Sequence, residues 1–179
     1  MKLKIKVKRI NKNLPLPEII DKGDWIDLRS SESVPFTAPQ ASVLKRHTVD
    51  GVEEGHRDVA FDTKLIRLGV AMQLPKGFEA VVLPRSGTYK NFGVILANSE
   101  GVIDQPYCGG NDEWRYNAVA LRDTVIHEGD RICQFRIQLS QKATMWQKLK
   151  WLFSSGVKIV EVEKLNNPDR SGIGSTGVQ

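Results

Sequence analysis

Cysteine and histidine are scarce in this chain, with two of the former and three of the latter in 179 residues. Cys108 and Cys133 form no CxxC pair and the histidines show no ligand spacing, which argues against a disulfide scaffold or a zinc site and leaves reduced thiols as the expectation. Long hydrophobic runs are missing as well. The opening Met1-Lys2-Leu3-Lys4-Ile5-Lys6-Val7-Lys8 lacks the continuous apolar stretch of a signal peptide, and no later segment approaches the length that spans a bilayer. A soluble, intracellular protein with no membrane partner is expected. Acidic residues are outnumbered, 21 to 26, which gives a formal charge of +5 and a pI near 9.2 and favours anionic partners. The cations are scattered, without a concentrated run interleaved with aromatics. Direct nucleic-acid binding is therefore not expected, and a small polyphosphate fits the charge as well.

What is present suffices for one folded domain: 40% of the residues are hydrophobic. The first segment alternates Lys2, Lys4, Lys6 and Lys8 with Leu3, Ile5 and Val7, the period of a half-buried strand whose lysines also discourage edge-to-edge aggregation. Further short strands are expected at Trp25 to Leu28, Lys64 to Met72, Ala80 to Leu83, Gly93 to Ala97, Asn117 to Arg122, Arg131 to Gln138 and Lys158 to Lys164. Turn signals such as Leu14-Pro15-Leu16-Pro17, Pro75-Lys76-Gly77 and Glu128-Gly129-Asp130 punctuate them. This pattern predicts an all-β sandwich or barrel of jelly-roll type, spanning residues 1–165. Two stretches depart from the even spacing. Thr37 to Asp62 is polar and contains Asp50-Gly51, suited to a type I′ turn, so it reads as an inserted loop or hairpin. Thr144 to Phe153 carries Met145, Leu149 and Leu152 at helical spacing, widened by Trp146, Trp151 and Phe153. A short helix is expected there, its apolar side packed on the barrel rather than on another protein. Residues 166–179 are polar and glycine-rich, a tail expected to be mobile until something holds it.

Four segments carry candidate chemistry. In Asn98-Ser99-Glu100-Gly101-Val102-Ile103-Asp104-Gln105-Pro106-Tyr107-Cys108-Gly109-Gly110 an apolar pair runs into a carboxylate and then a tyrosine, with glycine on both sides, as in a tight hairpin that presents side chains to a ligand. Taken alone, such an aspartate is more often a local turn cap. Pro84-Arg85-Ser86-Gly87-Thr88 sets a guanidinium, a hydroxyl and flexible backbone N–H groups side by side, suited to phosphate oxygens or simply to a Pro-initiated turn. Gly129-Asp130-Arg131-Ile132-Cys133-Gln134 begins a strand whose Gln134 offers an amide. Arg170-Ser171-Gly172-Ile173-Gly174-Ser175-Thr176-Gly177 supplies a cation, three hydroxyls and glycines near the end of the chain.

In this order the segments resemble the five motifs of the trimeric dUTPase family over nearly the whole chain. Gly23-Asp24-Trp25-Ile26-Asp27-Leu28-Arg29 matches the first motif, Pro84 to Thr88 the second and Asn98 to Gly109 the third; Gly129 to Gln134 and Arg170 to Gly177 match the fourth and fifth. Asn111-Asp112-Glu113-Trp114 and Ala120-Leu121-Arg122-Asp123 resemble a bacterial and phage branch, which implies the cytoplasm of a bacterium or of a phage's host. The resemblance implies a jelly-roll homotrimer with three sites at subunit interfaces, hydrolysing dUTP to dUMP and pyrophosphate with Mg²⁺, and so supplying dUMP for thymidylate synthesis and limiting uracil in DNA. Asp104 would activate the water that attacks the α-phosphorus. Tyr107 would stack on deoxyribose, and Asn98 with the backbone around Gly101 and Ile103 would read the uracil edge. Arg85, Ser86, Gly87 and Gln134 would hold phosphates, with Arg170, Ile173, Gly174, Ser175 and Thr176 closing over them from a different subunit's tail. Asp27 would help organise the metal, indirectly through water. Phosphoryl transfer depends on positioning and on neutralising charge, which is why these residue types suit it.

The chain departs from the family at Ile173, where an aromatic usually covers the uracil; an aliphatic group excludes water but loses ring stacking. A dCTP deaminase shares the fold and is the alternative enzyme, although its deamination site is centred on a glutamate. The two inserted segments motivate a reading of another class, a nucleotide-controlled contact with a regulatory protein.

Overall fold

The computed structural model describes residues 1–19 and 23–170, and strands dominate them. β1 (Leu3–Arg9) realises the opening alternation: Leu3, Ile5 and Val7 are buried, while Lys4 and Lys6 face solvent. β2 (Ile26–Arg29) and β3 (Val34–Phe36) follow, then β4 (Gln40–Ala41), β5 (Lys45–Val49), β6 (Val52–His56) and β7 (Val59–Ala60). The inserted segment is thus a hairpin. β5 and β6 pair from Lys45 opposite His56 to Val49 opposite Val52. Asp50 and Gly51 close them at φ of 50° and 81°, both left-handed as a type I′ turn requires. Every residue of the two strands is exposed, so the hairpin stands off the core above the short β4–β7 pair.

β8 (Thr63–Arg67) and β9 (Val70–Gln73) divide the run expected as one strand from Lys64 to Met72. The chain changes sheets there through Gly69, at φ of 68°. Alternation cannot reveal such a break, because both halves bury apolar side chains. β10 (Phe78–Pro84) leads to α1 (Thr88–Phe92), a short helix not expected from the sequence, and then to β11 (Val94–Leu96) and β12 (Gly101–Ile103). β13 (Arg115–Ala120), β14 (Thr124–Ile126), β15 (Arg131–Leu139), α2 (Met145–Leu152) and β16 (Val157–Glu161) complete the described chain.

The sheets are ordered β16-β1-β9, β12-β10-β15-β2 and β11-β13-β8, with β14-β3 as a smaller pair. Their inner faces meet around Phe78, Trp114, Tyr116 and Phe135, and Trp114 packs edge-on against Phe135 at 5.1 Å between centroids. Cys133 lies wholly within this core, where burial pushes its thiol pKa up; both cysteines are free. No helix among the described residues is long and apolar enough to cross a membrane.

The expected helix forms as α2. Thr144 and Gln147 close a reciprocal capping box, the Thr144 backbone N–H reaching Gln147 Oε1 at 2.7 Å. It packs on the sheets only in part. Trp151 meets Phe78 edge-on at 5.3 Å, but no residue of α2 is buried, and Met145, Trp146, Leu152 and Phe153 are exposed.

Gly69 offers a test of the sheet change. A Cβ there would lie 2.9 Å from that of Ser31 and 3.1 Å from that of Asn11, in a left-handed conformation. Gly69→Ala should cost about 1–3 kcal/mol, read as a lower urea midpoint at unchanged m-value.

Candidate active site

β12 ends at Ile103, and the chain turns through Asp104-Gln105-Pro106-Tyr107, closed by the Tyr107 N–H donating to the Asp104 carbonyl at 3.0 Å. The preceding connection carries Asn98 and Ser99, the latter at φ of 59°. Gly101 then lies flat against β10, where a Cβ would stand 3.3 Å from Val82. This hairpin leaves the Asp104 side chain 56% exposed, with Arg170 Nη1 at 3.0 Å. The two residues line a cavity of about 570 Å³ with Glu79, Val102, Gln105 and Lys142. Tyr107 is half-buried against the core and its hydroxyl donates to the Glu113 carbonyl at 3.0 Å. Burial pushes the Tyr107 pKa up, with the Asp112 carboxylate adding to the effect, so the phenol stays protonated and keeps that bond.

Past Tyr107 the loop meets the end of the described chain. Asn111 donates to Asp169 from its backbone at 2.8 Å and from its amide at 2.7 Å, which holds the Asp169 carboxyl below the usual range. Asp112 accepts from Gly109 N at 2.7 Å and from Arg170 N at 3.0 and 3.1 Å. Glu113 accepts from Gly69 N at 2.9 Å and from Arg67 Nε at 2.7 Å. Asp112 and Glu113 are 2% and 5% exposed. The sequence marked this tetrad only as a branch signature and gave it no role. Its signal was two adjacent carboxylates directly before a tryptophan that enters a core strand. The tail expected from Asn166 is, up to Arg170, docked on this loop.

A second cluster forms where β10, β15 and β2 lie side by side, with Leu83 opposite Gln134 and Gln134 opposite Asp27. Asp27 accepts from Arg85 Nε at 2.7 Å and from Arg131 Nη1 at 3.2 Å, so both its oxygens are engaged by guanidiniums. Gln134 Nε2 donates to the Pro84 carbonyl at 3.3 Å. The turn carrying Arg85, Ser86 and Gly87 is fixed by Thr88, whose Oγ1 accepts from Arg85 N at 2.9 Å and donates to the Ile132 carbonyl at 2.8 Å. Thr88 is another residue the sequence reading left without a role. Among the described residues no group of three or more His, Cys, Asp or Glu side chains could hold a metal ion.

The structure therefore gathers the candidates into two groups. Asp104, Tyr107 and Arg170 share one region; Asp27, Arg85 and Gln134 share the other. Ile103 lies opposite Ala80 and Cys133 opposite Pro84, which puts Asp104 near the first end of β10 and Arg85 just past the other. At ~3.3 Å per residue the ends are on the order of 15–20 Å apart. The pairing of Asp104 with Arg170, which the family resemblance assigns to two subunits, is made here within one chain. Ile173, Gly174, Ser175 and Thr176 lie outside the described residues.

The fold is the all-β arrangement that solved dUTPases share. Its likeness to the dUTPase of Streptococcus mutans has a TM-score of 0.58 at 18% identity, covering 78% of this chain and 98% of that one. For a dUTPase of phage phi11 of S. aureus, described with a structural Mg(II) ion, the TM-score is 0.56 at 16% identity, covering 79% and 94%. Sequence carries the assignment further. The dUTPase family model matches residues 58–149. An SPbeta prophage-derived deoxyuridine 5'-triphosphate nucleotidohydrolase of Bacillus subtilis, YosS, is 44% identical over 99% of this chain and 100% of its own length. The Hydrogenobaculum enzyme of the same description is 34% identical over 85% and 95%. The chain belongs to the dUTPase family.

Thr88 supplies the test of the second cluster. Thr88→Val keeps the shape but leaves Arg85 N and the Ile132 carbonyl without their hydroxyl partner. Stability should fall by about 1–3 kcal/mol in urea unfolding, with KM for the nucleotide raised as the Arg85 turn loosens.

Proposed function

We propose that this chain, a deoxyuridine 5'-triphosphate nucleotidohydrolase by family, hydrolyses dUTP to dUMP and pyrophosphate by in-line attack of an Asp104-activated water on the α-phosphorus. The supporting observation is the exposed Asp104 carboxylate on the cavity wall, 3.0 Å from the Arg170 guanidinium. Asp104 takes a proton from the water as the oxygen bonds to phosphorus, and the bond from the α-phosphorus to the bridging oxygen breaks, releasing pyrophosphate. Tyr107 presents its ring to deoxyribose, held by its bond to the Glu113 carbonyl. Asn98 and the backbone at Gly101 and Ile103 read the uracil edge, with a close wall against the thymine methyl. Arg85, Ser86, Gly87 and Gln134 grip the phosphates, and Arg170 with Ile173, Gly174, Ser175 and Thr176 closes over them.

Mg²⁺ would neutralise charge on the substrate's phosphate oxygens, a role that needs no clustered donor set, and none is found among the described residues. Both Asp27 oxygens already face arginines, which fits an indirect contribution through water better than direct ligation.

The distance between the two groups supports a shared site. A single triphosphate cannot have its α-phosphorus at Asp104 and its outer phosphates at Arg85 of the same chain across the length of β10. A neighbouring copy must supply one group, and a closed homotrimer gives every chain both roles. A regulatory contact is a second reading, favoured by the exposure of the β5–β6 hairpin and of Trp146 and Phe153. A solved dUTPase of Staphylococcus bacteriophage 80alpha is described as controlling transfer of virulence genes.

Asp104→Asn should lower kcat by about 10²–10⁴-fold while sparing nucleotide affinity, measured as pyrophosphate release with Mg²⁺. Coexpressed Asp104→Asn and Arg85→Ala chains should recover roughly a quarter of the wild-type sites, by counting over a three-fold ring. Mixed trimers without activity above either parent would place both groups in one chain's site and overturn the division.

A further inference from the structure

Glu113 has no part in the reaction above, yet its carboxylate is buried at the corner where β8 gives way to β9. One oxygen accepts from Gly69 N at 2.9 Å and the other from Arg67 Nε at 2.7 Å. A carboxylate this far from water is tolerated because both oxygens are engaged, and bonds to a charged acceptor are the stronger kind. Arg67 also stands opposite Arg115 in the pairing of β8 with β13, so the same carboxylate offsets two like charges. The neighbouring backbone closes on the corner as well. Trp114 N donates to the Val70 carbonyl at 2.9 Å and Leu68 N to the Trp114 carbonyl at 3.0 Å. The peptide joining Glu113 to Trp114 therefore has its N–H fixed on Val70, and its carbonyl accepts from the Tyr107 hydroxyl at 3.0 Å. The turn that begins at Asp104 fixes where the Tyr107 side chain starts; the Glu113 carbonyl fixes where its ring ends.

We propose that Glu113, gripping Gly69 and Arg67, positions the Tyr107 ring and so sets how strongly the site rejects a ribonucleotide. The selectivity rests on the hydrolase reading, in which Tyr107 faces deoxyribose; the positioning rests on the contacts. An added sugar hydroxyl is rejected only where the wall beside it cannot retreat, since a loose pocket discriminates poorly. Glu113 is a positioning residue: its carboxylate touches the corner, and the ring it steadies is the group that meets the sugar. Loss of the carboxylate leaves Gly69 N, a buried donor, without its partner and frees the corner to shift with the peptide that holds the phenol.

The test compares kcat/KM for dUTP and for UTP, as pyrophosphate release with Mg²⁺, in the full-length protein. The ratio of dUTP to UTP should fall about tenfold in Glu113→Ala, and about threefold in Glu113→Gln and Arg67→Met, which keep an acceptor for Gly69 N. A role in stability alone would lower both substrates together and leave the ratio unchanged. Tyr107→Phe, which lacks the bond to the Glu113 carbonyl, should lose about tenfold in the ratio, and Glu113→Ala should then add less than about twofold. Arg67→Met guards against a Glu113→Ala that fails to fold, because the Arg67 side chain is 51% exposed. An unchanged ratio in Glu113→Ala, or in Arg67→Met and Glu113→Gln where that variant does not fold, overturns the proposal. Losses that multiply fully with Tyr107→Phe overturn it too, since the effect would then not pass through the ring. A wild-type protein inactive on dUTP would refute the hydrolase reading and with it the selectivity. Amide hydrogen exchange would still decide the positioning: at Gly69 and Tyr107 it should rise about tenfold in Glu113→Ala with β15 unchanged, and no rise there overturns it.

Discussion

The register of β10 is the constraint on which the site depends. This strand is paired on both sides, with β12 and with β15, and it buries Phe78, Ala80 and Val82 toward the core. A slip of one residue would turn that set to the opposite face, so the apolar pattern fixes which residues stand at each end. Asp104 follows from the pairing of Ile103 with Ala80; Arg85 and Gln134 follow from the pairings at Leu83 and Pro84. Asp104 and the Arg85–Gln134 cluster are thus held rigidly apart by a strand in the middle of the core. The same rigidity that keeps each group preorganised prevents one chain from folding them around one ligand, so in the proposed reaction assembly is part of the chemistry.

Buried carboxylates do at the loop what apolar packing does in the sheets. Glu113 joins the left-handed Gly69 corner to Arg67, and Asp112 joins the loop to the end of the described chain. Each accepts from a donor in a distant part of the sequence, Asp112 from nearby Gly109 as well, which makes the loop's shape conditional on those parts being in place. Tyr107 depends on this network too, because its hydroxyl is held by the Glu113 carbonyl. The ring expected to meet the sugar is therefore set by the same residues that fix the corner between β8 and β9.

Much of the architecture was legible from the sequence. β1 was readable because lysine and aliphatic residues alternate from Lys2 to Lys8, α2 because its apolar spacing changes to a helical period, and the hairpin because Asp50-Gly51 suits left-handed φ. The division at Gly69 was not, since β8 and β9 both continue an apolar pattern and only the tertiary partners differ. α1 was missed because it spans only five residues after a turn. The candidate residues were recognisable as ordered segments, but their division between the two ends of β10 needed the strand register. Asp112 and Thr88 escaped because short polar residues in turns ordinarily cap locally, and nothing in the sequence distinguishes a cap from a long-range acceptor.

The surface of α2 follows from a different balance. Its capping box satisfies the first turn locally, and Trp151 secures one point of contact on Phe78, so the helix can persist without burying its remaining apolar side chains. Met145, Trp146, Leu152 and Phe153 leave a larger apolar surface than local packing requires. The hairpin presents the opposite chemistry, with Arg46 paired to Glu53 across strands that are exposed throughout. Neither segment contributes a side chain to the two clusters that the dUTPase assignment uses. Both therefore can vary without disturbing the register of β10, which is the physical condition for adding surface function to an enzyme whose catalytic geometry is already fixed.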